Sequence, residues 1–535
     1  MHAAVDGIER LYEIARERLR GRIVRDGRVD LAALDRNQLA AHALAYVATD
    51  LAACRELVDW ASRCPEAEAR AIAQAFVAEV ARCLRSAVWL GAAESYPVAE
   101  MHVSPAEIRA TVGSPENAQW ADDESAGERY MSLARVHAAG LAVPAGPADD
   151  TLMMMRAEFR RFVVDRVAPL AQQIHRADEL IPMDLIRSMS DMGVFGITIP
   201  EGYGGLGLGK LAMCVVTEEL SRGFIGVGSL GTRAEIAAEL ILQGGTEAQK
   251  ARWLPAIAKG TVLPTAVFTE PDHGSDLAHL KTRAARLEDG SWRVDGNKTW
   301  ITHASRATLM TVLARTDPTK LDHDGLSMFL AAKEPGSESD DFPDAGISGT
   351  EIKVLGYRGM KEYELSFDDF RVPPDALLGG RGGLGQGFRH LMTTFESARI
   401  QTAARAVGVA QAALDEATNY ARERMQFGKA LVELPRVSRK LGRMLVLTHA
   451  ARQLTFHAAR MKDSGKRCDR EAGMAKLLAT RAAWECADAA VQIHGGNGYA
   501  EEYTASRLLV DARVLSIFEG ANEIQAHVIA RRLLE

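Results

Sequence analysis

Apolar residues recur at helical spacing along most of this 535-residue chain, and that spacing breaks down over one long interior block. Leu44, Val47, Leu51, Cys54 and Val58 fall three or four apart, as do Ile72, Phe76, Val80 and Cys83, the mark of one-faced helices. Residues 1–136 are therefore expected to form a helical module. Within it, Ser104-Pro105-Ala106-Glu107 offers a capping hydroxyl, a proline at the first helical position and a glutamate at the third, a readable helix start. From His137 to Thr151 the periodicity is lost and Gly and Pro accumulate, which predicts a linker over 137–151. Helical spacing returns over 152–260, interrupted by the glycine-rich turn Pro200 to Gly205. Over 261–380 it gives way to short runs of β-branched and aromatic residues, with Asp289-Gly290 placed as a hairpin turn. This block is expected to be an antiparallel β domain. Over 381–535 helices resume, with Phe388, Leu391 and Phe395 on one face, then Ala406, Ala410 and Leu414, then Val437, Leu441 and Leu445. The expected class is multidomain α+β.

A chain this long exceeds what one hydrophobic core supports, so several domains are the natural expectation. No run approaches the roughly 20 apolar residues that span a bilayer, which argues against membrane insertion. The N-terminus mixes Asp6, Glu9, Glu13 and Glu17 with its arginines, unlike a secretory or organellar leader, and a cytoplasmic location is expected. A net charge of -7 with both signs interspersed lacks the basic footprint of a nucleic-acid-binding chain. Cys54, Cys64, Cys83, Cys214, Cys468 and Cys486 are scattered and form no C-x-x-C pair, which favours reduced thiols over disulfides or a metal site.

Five segments carry chemistry. Val267 to Asp276 leaves a strand for a polar, Gly-containing loop able to present hydroxyls and N–H groups to a ligand. Gly296 to Thr302 places an indole beside a hydroxyl at a strand end. Arg422 to Lys429, Gln492 to Tyr499 and Ile517 to Glu523 follow. Singly, each has an ordinary reading as a turn, a core tryptophan or a solvated charge. In this order and spacing they resemble the acyl-CoA dehydrogenase family, and the resemblance covers about residues 152–535. It implies a helical domain, an antiparallel β domain and a C-terminal four-helix bundle, here preceded by an extra helical module, and it implies FAD.

Carried over by position, the resemblance implies that Phe268, Thr269, Ser275, Trp300 and Thr302 hold the flavin. Thr269 and Thr302 would hydrogen-bond the isoalloxazine and Trp300 would lie on its face. Arg424, Phe427, Gln492 and Gly496 would complete the adenosine and pyrophosphate end across a subunit interface of a homodimer or a dimer of dimers, Arg424 through charge-assisted bonds to phosphate. Glu519 aligns with the catalytic base; its bland alternative is a cap on the helix that follows. The other place where family members put the base is Ala398 here, so that site is empty. Arg233, Ser275, Arg399 and Gly520 are expected at the acyl-CoA.

An α hydrogen beside a thioester is too weakly acidic for a free carboxylate of pKa roughly 4.3 to remove in water. The implied solution is a glutamate in a dry pocket and a thioester oxygen held by a backbone N–H and a flavin ribityl hydroxyl, which stabilise the developing enolate. Electrons would then pass to an electron-transfer flavoprotein. The extra module, with Asn37 to His42, Ser104 to Arg109, Leu355 to Glu364 and Phe518 to Ala521, is similar to an N-terminally extended branch acting on a short, branched acyl-CoA that ends in a carboxylate. Such a carboxylate needs a buried cation, for which Arg233 is the candidate; the alternative is an ion pair between Arg233 and Glu235 or another carboxylate. Other readings of the same fold are an acyl-CoA oxidase, a nitroalkane oxidase, a flavoprotein that responds to nucleic-acid damage, and a dehydrogenase of another short acyl-CoA. Ala521 stands where the family often has Thr, which removes a hydroxyl near the pocket.

Overall fold

The computed structural model describes residues 1–91, 94–140, 146 and 149–535. It divides into two compact units, one formed by Met1–Glu158 with Thr402–Glu535 and the other by Phe159–Gln401.

In the first unit the amino-terminal segment is helical where the spacing predicts it, with helices His2–Ile23, Gln38–Arg63, Ala67–Cys83 and Gly127–Ala138. Leu44, Val47, Leu51 and Cys54 are buried on Gln38–Arg63. Each such side chain taken out of water contributes about 1.5–3 kcal/mol. The helix beginning at Pro105 carries a full capping box: Glu107 N–H donates to Ser104 Oγ at 3.2 Å and Ser104 N–H donates to Glu107 Oε2 at 2.8 Å. Residues 141–145, 147 and 148 of the expected linker lie outside the described residues. Its edges are helical, since His137 and Ala138 close one helix and Asp150 and Thr151 open Asp150–Phe162.

The carboxy-terminal part of this unit holds the helices Pro435–Asp463, Asp469–His494, Thr504–Leu515 and Asn522–Leu534, together with the latter half of Gly387–Glu423. Gln38–Arg63 packs against Pro435–Asp463, Asp469–His494 and Asn522–Leu534, and Gly127–Ala138 packs against Pro435–Asp463. Ionic contacts fasten these helices. Arg443 bridges Glu79 at 2.8 Å and Glu485 at 2.5 Å, Arg460 meets Glu56 at 2.8 Å, and Arg481 meets Asp50.

The second unit opens with helices that include Lys210–Gly223, Ile225–Gly244 and Glu247–Ala258. A seven-stranded sheet follows, in the order Ile347–Ile352, Glu362–Val372, Trp292–Thr302, Arg283–Arg286, Leu309–Arg315, Pro264–Val267, with Leu326–Ala332 also paired to Leu309–Arg315. Arg283–Arg286 and Trp292–Thr302 form the antiparallel hairpin signalled by Asp289-Gly290, with Arg286 opposite Trp292. Asp289 Oδ1 accepts from Ser291 N–H at 2.9 Å and Gly290 has φ +88°. The long pairings are antiparallel, except that Pro264–Val267 runs parallel to Leu309–Arg315. Alternation along Trp292–Thr302 sends Trp292 and Val294 inward and Arg293 outward, and Trp292 meets Phe329 edge to face at 5.3 Å in the core.

Candidate active site

The strand Pro264–Val267 ends at Phe268, which is buried and lies edge-on to Phe395 at 6.5 Å. The next residues are fixed from below by Lys298. Its fully buried ammonium donates to the Phe268 carbonyl at 2.8 Å and to Glu270 Oε1 at 3.2 Å. Glu270 also accepts from the backbone N–H groups of Lys281 at 2.6 Å and Thr282 at 2.7 Å. Burial pushes Lys298 down to about 8 against the opposing charge of Glu270, while Lys298 and the backbone donors hold Glu270 below the usual carboxylate range despite its burial. Thr269, half-buried, accepts from Thr299 N–H at 2.9 Å. The loop is thereby stapled to the strand that carries Trp300 and Thr302.

Trp300 has φ +59° and is 56% exposed, an unusual backbone state for a bulky residue that turns a large indole outward. Thr302 is buried; its hydroxyl is hydrogen-bonded with Glu362 Oε2 at 3.0 Å and its carbonyl accepts from Thr265 Oγ1 at 2.6 Å. Ser275 is exposed in the loop beyond. Phe268 and Thr269 thus lie beside the strand segment that carries Trp300 and Thr302, and a Cβ added at Gly274 would meet no atom of the described residues within 4 Å. An outward indole flanked by hydroxyls, with room for a ligand to approach the loop backbone, fits a flat aromatic ring carrying a phosphate tail.

Arg233 is buried on Ile225–Gly244. Glu235 is engaged elsewhere, by Lys210 and Thr198. The charge of Arg233 reaches Glu362 and His303. Burial pushes His303 down to about 3, helped by Arg306, Arg233 and Lys333, so its imidazole is neutral. Arg399 is buried on Gly387–Glu423.

In the other unit Glu519 sits in a tight turn of two left-handed residues, with φ +51° at Glu519 and +88° at Gly520. The Gly520 carbonyl accepts from buried Lys476 and from Gln525 Nε2 at 3.0 Å, which fixes the turn. The following helix, Asn522–Leu534, has Ala521 at its N-cap, and that residue supplies no side-chain cap. Glu519 Oε2 accepts from Arg405 Nη2 at 2.8 Å and from the Thr402 hydroxyl. Arg405 is fully buried and lies over the Phe518 ring at 4.9 Å, while the Glu519 side chain is only 11% exposed. The Glu519 carboxylate is therefore largely buried, and the cation Arg405 shares its surroundings.

Arg424 is exposed immediately after Gly387–Glu423, at the foot of a small hairpin in which Met425–Gln426 pairs with Lys429–Ala430. Phe427, at its tip, has φ +52° and is 89% exposed. Gln492 is exposed in the last turn of Asp469–His494, and a Cβ on Gly496 would meet nothing within 4 Å. Tyr420 supports this corner by stacking on His494 at 4.1 Å and accepting from Asn497 Nδ2 at 3.0 Å.

The supporting residues Lys298, Glu362, Thr402, Arg405 and Lys476 had no role in the sequence reading. The available signal was a charged residue inside an otherwise apolar stretch, clearest for Arg405 in Ala403-Ala404-Arg405-Ala406. Among the described residues no group of three or more His, Cys, Asp or Glu could hold a metal, and no helix is long and apolar enough to cross a membrane.

Domain families described as acyl-CoA dehydrogenase N-terminal, middle and C-terminal domains match residues 149–261, 265–370 and 385–534. The chain belongs to the acyl-CoA dehydrogenase family and is an acyl-CoA dehydrogenase, a flavoprotein oxidoreductase. It is 54% identical to a (2S)-methylsuccinyl-CoA dehydrogenase of Cereibacter sphaeroides, over 99% of this chain and 97% of that one. Among solved structures it resembles butyryl-CoA dehydrogenase from Megasphaera elsdenii, with TM-score 0.68 and 32% identity over 73% of this chain and 99% of that one. It also resembles a glutaryl-CoA dehydrogenase from Mycobacterium smegmatis in complex with FADH2, with TM-score 0.66 and 28% identity over 72% and 95%.

Proposed function

We propose that this protein binds FAD and oxidises (2S)-methylsuccinyl-CoA to mesaconyl-CoA, passing electrons to an electron-transfer flavoprotein, as a cytoplasmic homodimer or dimer of dimers serving the ethylmalonyl-CoA pathway. One observation carries the reading: the similarity to a methylsuccinyl-CoA dehydrogenase runs through the amino-terminal module to cover 99% of the chain, whereas the family's domains begin at residue 149.

Glu519 removes the α proton: the C–H bond breaks and the proton moves to the Glu519 carboxylate. Thr402 and Arg405 hold that carboxylate beforehand, and the Lys476–Gly520 contact fixes the turn that aims it. Backbone N–H groups stabilise the enolate as charge moves onto the thioester oxygen. Bound FAD would supply the acceptor for the β hydride. Trp300 would cover the ring, Thr269 and Thr302 would hold its edge, Phe268 would back it, and Ser275 would steady the pantetheine or phosphate. Arg424, Phe427, Gln492 and Gly496 would reach the adenosine end in a second subunit, a reading supported by the 89% exposure of Phe427. Arg233 would pair the distal carboxylate, and Arg399 and Gly520 would each contact the acyl-CoA.

The test is anaerobic addition of (2S)-methylsuccinyl-CoA, butyryl-CoA or isobutyryl-CoA to the flavin-loaded protein while the oxidised flavin band is followed. Bleaching by methylsuccinyl-CoA alone is expected, and its rate should fall by about 10²–10⁴ in Glu519→Gln, the usual range for loss of a general base. Arg233→Gln should raise KM for the dicarboxylic thioester far more than for a neutral one; equal effects would remove Arg233 from the carboxylate site. Bleaching by a neutral acyl-CoA alone would discard the substrate assignment.

A further inference from the structure

Glu362 lies on Glu362–Val372, opposite Thr302 on one neighbouring strand and Ile352 on the other. It is 5% exposed, and its Oε1 has no hydrogen-bond partner among the described residues, while Oε2 meets the Thr302 hydroxyl at 3.0 Å. The charge that reaches it comes from Arg233, on the helix Ile225–Gly244. Adjacent Lys361 is committed to Glu351 at 2.9 Å, and His303 is neutral. A carboxylate here would leave a bare anionic oxygen buried and unpaired, which is costly, whereas a carboxylic acid has one proton to place and less charge to bury.

A hydroxyl has a single proton to donate. If Glu362 is ionised, that proton must go to Oε2, and Thr302 can then only accept from a ligand. If Glu362 is protonated, its own O–H donates to Thr302 Oγ1 across the same 3.0 Å, and the Thr302 proton is released to point elsewhere.

We propose that Glu362, in its protonated form, is a positioning residue that sets the direction of the Thr302 hydroxyl, so that Thr302 donates a hydrogen bond to the flavin ring rather than to the protein. The inference rests on the reading that Thr302 contacts the flavin. Burial pushes Glu362 up to about 8, against the hydrogen bond from Thr302 and the charge of Arg233, so the acid form is the one present at neutral pH.

The readout is the visible absorption and circular dichroism of bound flavin in substrate-free protein, titrated through this range for the wild type, Glu362→Gln and Thr302→Ala. The wild type should show a one-proton spectral transition near pH 8. Glu362→Gln, a neutral near-isostere, should keep the low-pH spectrum throughout, and Thr302→Ala should lose the transition because the hydroxyl that reports it is gone. A flavin that binds and reacts with acyl-CoA but whose spectrum ignores pH, or a transition that persists in Glu362→Gln, overturns this proposal alone. A protein that binds no flavin under any condition overturns both it and the cofactor reading.

Discussion

Lys298 contributes more to the site than its place in a strand suggests, because one buried ammonium holds both the Phe268 carbonyl and Glu270. Replacing it with methionine leaves the buried Glu270 carboxylate with its backbone N–H donors but without its lysine counter-charge, a loss of up to about 3–5 kcal/mol. Lys298→Met is expected to lower the melting temperature and weaken flavin retention together, and adding Glu270→Gln should recover much of the stability. A double variant as unstable as the single one would refute the pairing argument. Glu362 makes a second test at this scale. Its folded-state value near 8 lies above its ordinary 4.5, so the folded protein keeps a proton that the unfolded chain releases, and stability from this group is lost as pH rises between the two values. The melting temperature of Glu362→Gln relative to wild type should therefore climb from about pH 5 to about pH 8. A constant difference would show that Glu362 does not titrate in that window. His303 has the opposite sign, with stability lost as pH falls from 6.5 towards about 3. Glu519, Thr269 and Trp300 could be singled out as candidates in the sequence because each sits in a contiguous motif. Their supports could not, because Arg405 and Glu519 are 114 residues apart, and Thr302 and Glu362 are 60 apart. Spacing carries no record of such partners.

Local signals were read well among the elements. The capping box at Ser104 and the hairpin at Asp289-Gly290 involve neighbours in sequence, and both are present. Periodicity placed Leu44, Leu51 and Cys54 in the core, but Val58 is only half-buried because Leu57 takes the inward position. The parallel pairing of Pro264–Val267 with Leu309–Arg315 was not visible, since a period of two reports a face and not a partner. Close helix approach leaves an equally faint trace: Gly442, on Pro435–Asp463, faces Tyr130 on Gly127–Ala138, and a Cβ there would lie 1.9 Å from the Tyr130 carbonyl oxygen. That neighbour is backbone and cannot rotate away. Gly442→Ala should destabilise the protein by about 1–3 kcal/mol, as overpacking does, and expose Gly127–Ala138 to protease. Gly21→Ala, on the helix His2–Ile23 with nothing within 4 Å, should instead stabilise by about 0.4–1 kcal/mol. Equal protease sensitivity in both variants would rule out a packing contact at Gly442.

At the scale of the whole molecule, the amino-terminal module is joined to the carboxy-terminal helices as one compact unit. Its helix Gln38–Arg63 covers parts of three of them. Asp50, Glu56 and Glu79 from the module supply partners to Arg481, Arg460 and Arg443. Removing the module would therefore do two things at once. It would bare the apolar surface under Gln38–Arg63, and it would leave Arg481, only 12% exposed, without its carboxylate. An exposed apolar patch with unpaired charge in it is unstable in water and seeks another protein surface. A chain starting at Thr151 is expected to aggregate or to assemble into a larger oligomer than the full-length protein, measured by light scattering on a sizing column. That outcome would make the module a built-in cover for a helical surface that would otherwise pair with another subunit. A truncated chain that stayed monodisperse, with the native number of protomers and undiminished flavin bleaching by acyl-CoA, would show that the covered surface needs no cover and would require another role for the module.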